Sequence, residues 1–464
     1  MYRITASRNG RIALFRSYQS GLLSLNHFAL TFTIALSTLC LLSSCTKPGV
    51  INDVSNEPTI DTAENSYDEE EPTPAQESQI VFMGSGRGEN LVIDGRSLSI
   101  PENATIAIKE GRYRSITIQH IKYEEGKPLR ITNDGEVSIS EAMFTKNIEN
   151  VIIAGNGDAD VTYGFKFHDI AYRAIVMEGT MDGVRLSHMS FRNVNDYVIS
   201  RTDADNERYY DGTPRTRDER LKILSCKFEN TGPIIFGGSL NGDHNDDSGF
   251  IKDVEIAHNE FSDTDWGTLV SFNNVQDYHI HHNSITDVNG FNNNHNGIFF
   301  MQGNGTFHDN KLVNYQGNAL RAWVYSRGNE PATVKIFNNI CYNSRKYSAF
   351  ELQQFERNLV PGKSTFVNAQ VYNNTVGKMN TSKDWEGQLL DLYHLSGELE
   401  YHDNLGFELY TSNRFSAIGD MINNMGDTKI TVHNNNKYFD DPSDAVTDVF
   451  SFASKHAGIG TAVE

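Results

Sequence analysis

The sequence predicts an all-β chain wound into a solenoid of short parallel strands, and three observations carry that expectation. Asparagine is heavily used, at 46 of 464 residues, while proline is scarce at 11. One short pattern, apolar-x-apolar-x-x-Asn-x-apolar, returns throughout the chain beyond residue 180. Within it the apolar positions alternate with period two and then slip phase, as they must in a strand that turns a corner.

The pattern is legible as Val254, Ile256, Asn259, Phe261 in VEIAHNEF and as Tyr278, Ile280, Asn283, Ile285 in YHIHHNSI. Alignment on the asparagine gives Met189, Cys226, Asn259, Asn283, Asn310, Asn339, Asn374, Asn404 and Asn435. Three residues earlier stand Leu186, Ile223, Ile256, Ile280, Phe307, Ile336, Val371, Tyr401 and Val432, all apolar. Asparagine tolerates the left-handed backbone that a sharp bend needs, so the bend is expected at the aligned residue itself. If successive coils stack one strand spacing apart, each amide can bond its neighbours above and below. The sequence thus predicts an asparagine ladder.

Aligned positions lie 24 to 37 residues apart, too irregular for leucine-rich or ankyrin arrays. The shortest interval fits three short strands and three turns, and the longer ones fit the same coil with insertions. Earlier segments, ITIQHIKY, PLRITNDGEVSI, ENVIIAGNG and YRAIVMEG, read as strands punctuated by Gly and Asn turns. They are expected to form the first coils and an N-terminal cover. Cys226 in the aligned row and Cys341 at an inward position are expected to be buried thiols.

On this motif the chain resembles the single-stranded right-handed parallel β-helix proteins of the pectate-lyase-like superfamily, which include pectate lyases, polygalacturonases and chondroitinase-B-type lyases. The resemblance spans residues 79–464, and the closing Asp441-Pro442 and Ser454-Lys455-His456-Ala457-Gly458 are similar to the last turns of bacterial members. It implies a right-handed coil and polysaccharide as the partner. Known family signatures are incomplete here. Asp246-Asp247 is the only counterpart of the hydrolase pattern, and Glu351-Leu352-Gln353 has one carboxylate fewer than the calcium-binding Glu-x-Glu of chondroitinase-B-type lyases.

The remaining sequence concerns address and charge. Arg3, Arg8, Arg11 and Arg16 precede an apolar run from Phe28 to Leu42, followed by Ser43-Ser44-Cys45. That run is short of the roughly 20 residues a bilayer requires and suits a signal peptide. Residues 1–44 are therefore expected to be a lipoprotein signal peptide, with Cys45 the lipidated mature N-terminus. Residues 45–78 are polar and acidic and are expected to form a disordered tether. The expected location is a lipid anchorage at the bacterial cell envelope, at the outer membrane, with no other membrane contact and a monomeric chain. A net charge of −20 speaks against nucleic acid as the main partner, since phosphate binding needs a broad basic face.

Candidate chemistry follows from a second set of strands, LVSFN, IFFMQ, LRAWVY, FELQQ and LLDLYH. Alternation turns Leu320, Ala322, Val324, Phe350, Leu352, Leu390 and Leu392 inward. It turns Asn273, Gln302, Arg321, Trp323, Tyr325, Glu351, Gln353, Asp391 and Tyr393 outward. Flat rings mixed with hydrogen-bonding groups, on strands about 4.8 Å apart, suit a polysaccharide. Trp323, Gln302, Gln353 and Tyr393 are expected to bind sugar, joined by Tyr209 and Arg215 from the long loop 203–220.

A lyase acting on uronate sugars must neutralise the carboxylate, remove the acidic proton and protonate the leaving oxygen. Arg321, Arg345 and Lys346 are candidates for neutralisation or as base, with His295 and Tyr325 for proton transfer. Glu351 with Asp391 is a candidate Ca²⁺ pair. Asp243, Asn245 and Asp247 in NGDHNDDSG are spaced like the opening of a calcium loop, without its Gly or closing Glu. The expected function is a cell-surface lyase, or less favoured a hydrolase, of acidic polysaccharide. The alternative is a glycan-binding or adhesion module that cuts nothing.

Overall fold

A computed structural model describes residues 79–462, apart from 102–103, 202–207, 242–245, 328–329, 355–362, 365–366, 396 and 412–417. The expected signal peptide, Cys45 and the tether lie outside the described residues, as do Asp243 and Asn245.

The period-two segments form strands that pair with the equivalent strand of the next coil, always in parallel, within one 29-stranded sheet. Glu260–Thr264 pairs with Ser284–Val288, which pairs with Lys311–Tyr315 and that with Ile340–Ser344. Antiparallel pairing among the described residues is limited to two short strand pairs, 239–241 with 246–248 and 326–327 with 363–364, and to isolated bridges of Tyr209 with Ser248 and Val446 with Ser454. The coil begins early, as expected, with Thr105–Lys122 and Leu129–Ala154 pairing along most of their lengths.

Inward residues form one long apolar core. In-register pairing places like on like, so Phe167, Phe191, Phe228 and Phe261 stack as a file of rings 4.9, 4.9 and 4.6 Å apart. Cys226 and Cys341 are buried, and burial pushes both thiols up to about 12, so neither is a nucleophile at neutral pH.

The asparagines stand in a file. The amide Nδ2 of Asn259 donates to Oδ1 of Asn283 at 3.0 Å, and the series continues through Asn310, Asn339, Asn374 and Asn404 at 2.9 to 3.1 Å. Each Nδ2 also donates to a carbonyl of the preceding coil, as Asn283 does to Ile256 at 2.8 Å. Such saturation is why a polar side chain is tolerated in the interior. The file ends at Cys226, whose backbone N–H donates to Asn259 Oδ1 at 2.9 Å.

Two details differ from expectation. The left-handed residue is the one before each ladder position: Ser225, His258, His282, Asp309, Asn338, Asn373 and Asp403 have φ between 52 and 57°. The bend turns the following amide inward, so the ladder Asn is kept for its hydrogen bonds rather than for its backbone freedom. The last ladder member is also Asn436 rather than Asn435, with Asn404 Nδ2 donating to Asn436 Oδ1 at 2.9 Å. The register shifts between Leu399 and Glu400, which absorbs one residue and leaves Asn435 at the bend with φ 54°.

Candidate functional site

The outward rows stack in register. Phe300 pairs with Arg321, Arg321 with Glu351, Glu351 with Asp391 and Asp391 with Asn423. Two residues further along the strands, Gln302, Trp323, Gln353 and Tyr393 form a parallel row, each partly exposed. Alternation holds, because all seven residues expected inward have zero exposure. Asn273 falls out of the row, since pairing with the next strand slips between Phe272 and Val275.

At the carboxylate end the chain builds a network. Arg321 Nε donates to Glu351 Oε1 at 2.8 Å, and His295 Nε2 stands 2.8 Å from Oε2. Arg321 Nη1 also donates to the His295 carbonyl at 2.9 Å, fixing the turn 291–296 on the strip. His295 stacks on Tyr347 with ring centroids 4.1 Å apart. Burial pushes the Glu351 carboxyl up, but the His295 hydrogen bond and the Arg321 charge outweigh it and hold Glu351 below the usual range.

Asp391, one rung away, behaves in the opposite way. It is 1% exposed, and burial pushes it up to about 8 against a Ser348 hydrogen bond, with the Glu351 and Glu386 charges adding to the rise. Glu386 is equally buried, and burial pushes it up to about 7. Neither Glu386 oxygen has a hydrogen-bond partner among the described residues, and the same holds for the Gln388 amide. A buried carboxyl without partners is rare and points to a functional use or a bound ligand. Burial, followed by the Asp391 charge, raises the Tyr393 phenol so that it stays protonated at neutral pH.

Other expected site residues are placed differently. Tyr325 lies outside the main core but is fully buried against Leu240 of the paired strands 239–241 and 246–248, its hydroxyl donating to Asn274 Oδ1 at 2.6 Å. It is not a solvent-facing acid. Arg345 Nη1 donates to Asn293 Oδ1 at 2.9 Å, and Lys346 Nζ donates to Asp384 Oδ2 at 2.6 Å. Both thus tie neighbouring turns to the strip. Tyr209 and Arg215 are exposed but stand apart from the row: Tyr209 bridges to Ser248 and Arg215 pairs with Asp211.

The calcium assignments meet occupied carboxylates. Asp247 is 4% exposed and accepts from Arg327 Nη1 at 3.1 Å and Nη2 at 2.9 Å. The Glu351 oxygens are taken by Arg321 and His295. A Ca²⁺ ion at Asp247 or Glu351 would compete with a guanidinium, whereas Asp391, the other half of the expected pair, has only Ser348 and Asn423 as hydrogen-bond partners among the described residues.

Sequence reasoning missed Glu386 and Trp385, in a turn with no periodicity, and Phe291, which is 84% exposed beside the Asn292 and Asn293 contacts of Arg345. Only the crowding of NGFNNNHNG and DWEG with polar and aromatic residues signals them. Comparison of the chain with protein-family models, curated proteins and solved structures returns no match.

Proposed function

We propose that this is a cell-surface polysaccharide lyase, a right-handed parallel β-helix of the pectate-lyase-like kind, tethered through lipid on Cys45. The single observation that carries the reading is the pair of in-register carboxyls in opposite surroundings. Arg321 and His295 flank Glu351 and hold its carboxyl below the usual range, while burial beside the unpartnered Glu386 pushes Asp391 up to about 8. Groups whose surroundings push their pKa values apart are the usual acid and base of a site.

In this reading the sugar chain crosses the strands, its faces on Trp323 and Tyr393 and its hydroxyls on Gln302 and Gln353. A uronate carboxylate competes with the exposed Asp384 for Lys346 and is neutralised there and at Arg321. Glu351 and Asn318 keep the hydrogen of His295 on Nε2, so that the Glu351–His295 pair takes the proton next to the carboxylate through Nδ1, and Asp391 or Glu386 gives one to the leaving oxygen. Product carries a new double bond at the cut end.

A second reading is supported by the same burial. With Glu351, Asp391 and Glu386 each 1% exposed, and Arg345 and Lys346 engaged in turns, the strip would bind glycan without cleaving it. Incubation with uronate polysaccharides separates the outcomes. Rising ultraviolet absorbance of an unsaturated product supports elimination, and new reducing ends without it mean hydrolysis. Binding with neither means a module. Trp323→Ala should weaken binding about tenfold, by ~1–2 kcal/mol, in calorimetric titration with oligosaccharide. Unchanged affinity would remove the strip from the proposal.

A further inference from the structure

At another corner of the coil, between the strand that carries the apolar pair and the strand after the ladder, histidines recur on adjacent rungs. His258 and His282 occupy successive left-handed bend positions, with φ 57 and 53°. His281, one residue earlier in its coil, pairs in register with Ala257 on one side and His308 on the other. The backbone bend therefore delivers His258, His281 and His282 to one point of the surface.

We propose that His258, His281 and His282 form a binding site for a divalent transition-metal ion of the zinc, nickel or copper class. One ring nitrogen from each lies within 4.8 Å of the others. His281 Nδ1 and His282 Nδ1 are 2.9 Å apart. Two nitrogens bound at about 2.0–2.1 Å to a tetrahedral ion stand about 3.3 Å apart, so small ring rotations complete the set. Imidazole selects this class of metal over calcium or magnesium, which require oxygen.

The surroundings resemble a built site more than a chance meeting of rings. Glu255 Oε1 is 3.4 Å from His281 Nε2, and its other oxygen holds Lys222 at 2.6 Å. A carboxylate on the far nitrogen fixes the tautomer and turns the Nδ1 lone pair toward the ion. His282 Nδ1 donates to that lone pair when no ion is bound. On binding, its proton moves to Nε2 and both Nδ1 lone pairs face the metal.

The His281 ring is also held in place. It stacks on His308 at 4.9 Å, and the file continues through Phe337 at 4.5 Å, Tyr372 at 5.0 Å and His402 at 5.2 Å. His308 and Asp309 also bring ligand atoms within 4.8 Å of His282, but His308 Nδ1 is engaged with Asp309 Oδ2 at 2.6 Å, and the ion is assigned to the three-histidine set. Three nitrogens leave the fourth tetrahedral position for water.

The test uses tag-free full-length protein stripped with chelator. Zinc chloride is titrated calorimetrically, and cobalt chloride is followed by visible absorption, which reports low coordination number. One saturable site per chain is expected, with cobalt bands. His258→Asn and His282→Asn keep a residue suited to the bend, since Asn338 and Asn373 stand there in later coils. Each should lower affinity at least about tenfold, and Glu255→Gln about tenfold, at unchanged circular dichroism. His308→Asn should bind normally. Absence of saturable binding, unchanged affinity in the His258→Asn/His282→Asn double variant, or loss of binding in His308→Asn would overturn the assignment.

Discussion

Asn310→Ala tests the ladder where it is most regular. Its side chain makes four hydrogen bonds: Nδ2 to Ile280 O at 3.0 Å and to Asn339 Oδ1 at 3.1 Å, and Oδ1 from Asn283 N at 3.1 Å and Asn283 Nδ2 at 2.9 Å. Alanine removes all of them, but not every partner suffers equally. Asn283 Nδ2 keeps Ile256 O at 2.8 Å, and Asn339 Oδ1 keeps the backbone N–H of residue 310 at 3.1 Å. The backbone N–H of Asn283 and the carbonyl of Ile280 lose a buried partner. At about 1–3 kcal/mol for each such group, the expected loss is about 4 kcal/mol. Asn314→Ala is the matched control, because its side chain makes exposed bonds alone, to Asp287 Oδ1 at 2.9 Å and from Asn343 Nδ2 at 2.7 Å, and its φ is 57°. That substitution should cost about 1–2 kcal/mol, mainly for an alanine in left-handed backbone. Urea unfolding followed by circular dichroism measures both. If Asn310→Ala lowers the midpoint no more than Asn314→Ala does, the buried file is not what holds the coils in register.

Asp391→Asn should change how stability depends on pH. The unfolded carboxyl releases its proton near 3.8 while the folded one keeps it to about 8. The unfolded state therefore binds fewer protons across that window, and this group makes wild type lose stability as pH rises through it. The amide does not titrate, so unfolding free energies from urea titrations should diverge in the variant's favour from pH 4 to 8, by up to about 4 kcal/mol at neutrality. A constant difference would mean that Asp391 is ionised in the fold. Arg327→Ala should cost about 3–5 kcal/mol, because it leaves Asp247 buried without its bidentate partner. Arg327 also lies 3.9 Å over the Phe250 ring, so hydrogen exchange should rise in the segments 239–241 and 246–248. Unchanged protection there would show that the pair does not hold these strands.

The winding was legible because its causes are local. Period-two alternation in LRAWVY and FELQQ sends Leu320, Ala322, Phe350 and Leu352 inward whatever else the chain does, and in-register stacking then aligns Arg321, Glu351 and Asp391. The asparagine signal marked the right file but not the bend, since Asn serves equally well for left-handed backbone and for buried hydrogen bonding. His258, His282 and Asp309 fill the bend instead. A second outer file, in which Asn343 donates to Asn314 and Asn314 to Asp287, went unread because its members vary between Asn and Asp.

The amino-acid pattern by itself determined a stack of parallel coils, the amide file along it and which side chains leave the core on the strip. Only the tertiary structure decided which of those side chains meet solvent. Tyr325 disappears under a pair of short strands, Lys346 is given to Asp384, and Glu386 arrives beside Asp391 from a turn that carries no periodic signal. Alternation is enforced by the sterics of neighbouring residues, whereas cover and charge pairing depend on insertions of different length folding back across rungs, a non-local outcome that no short window contains.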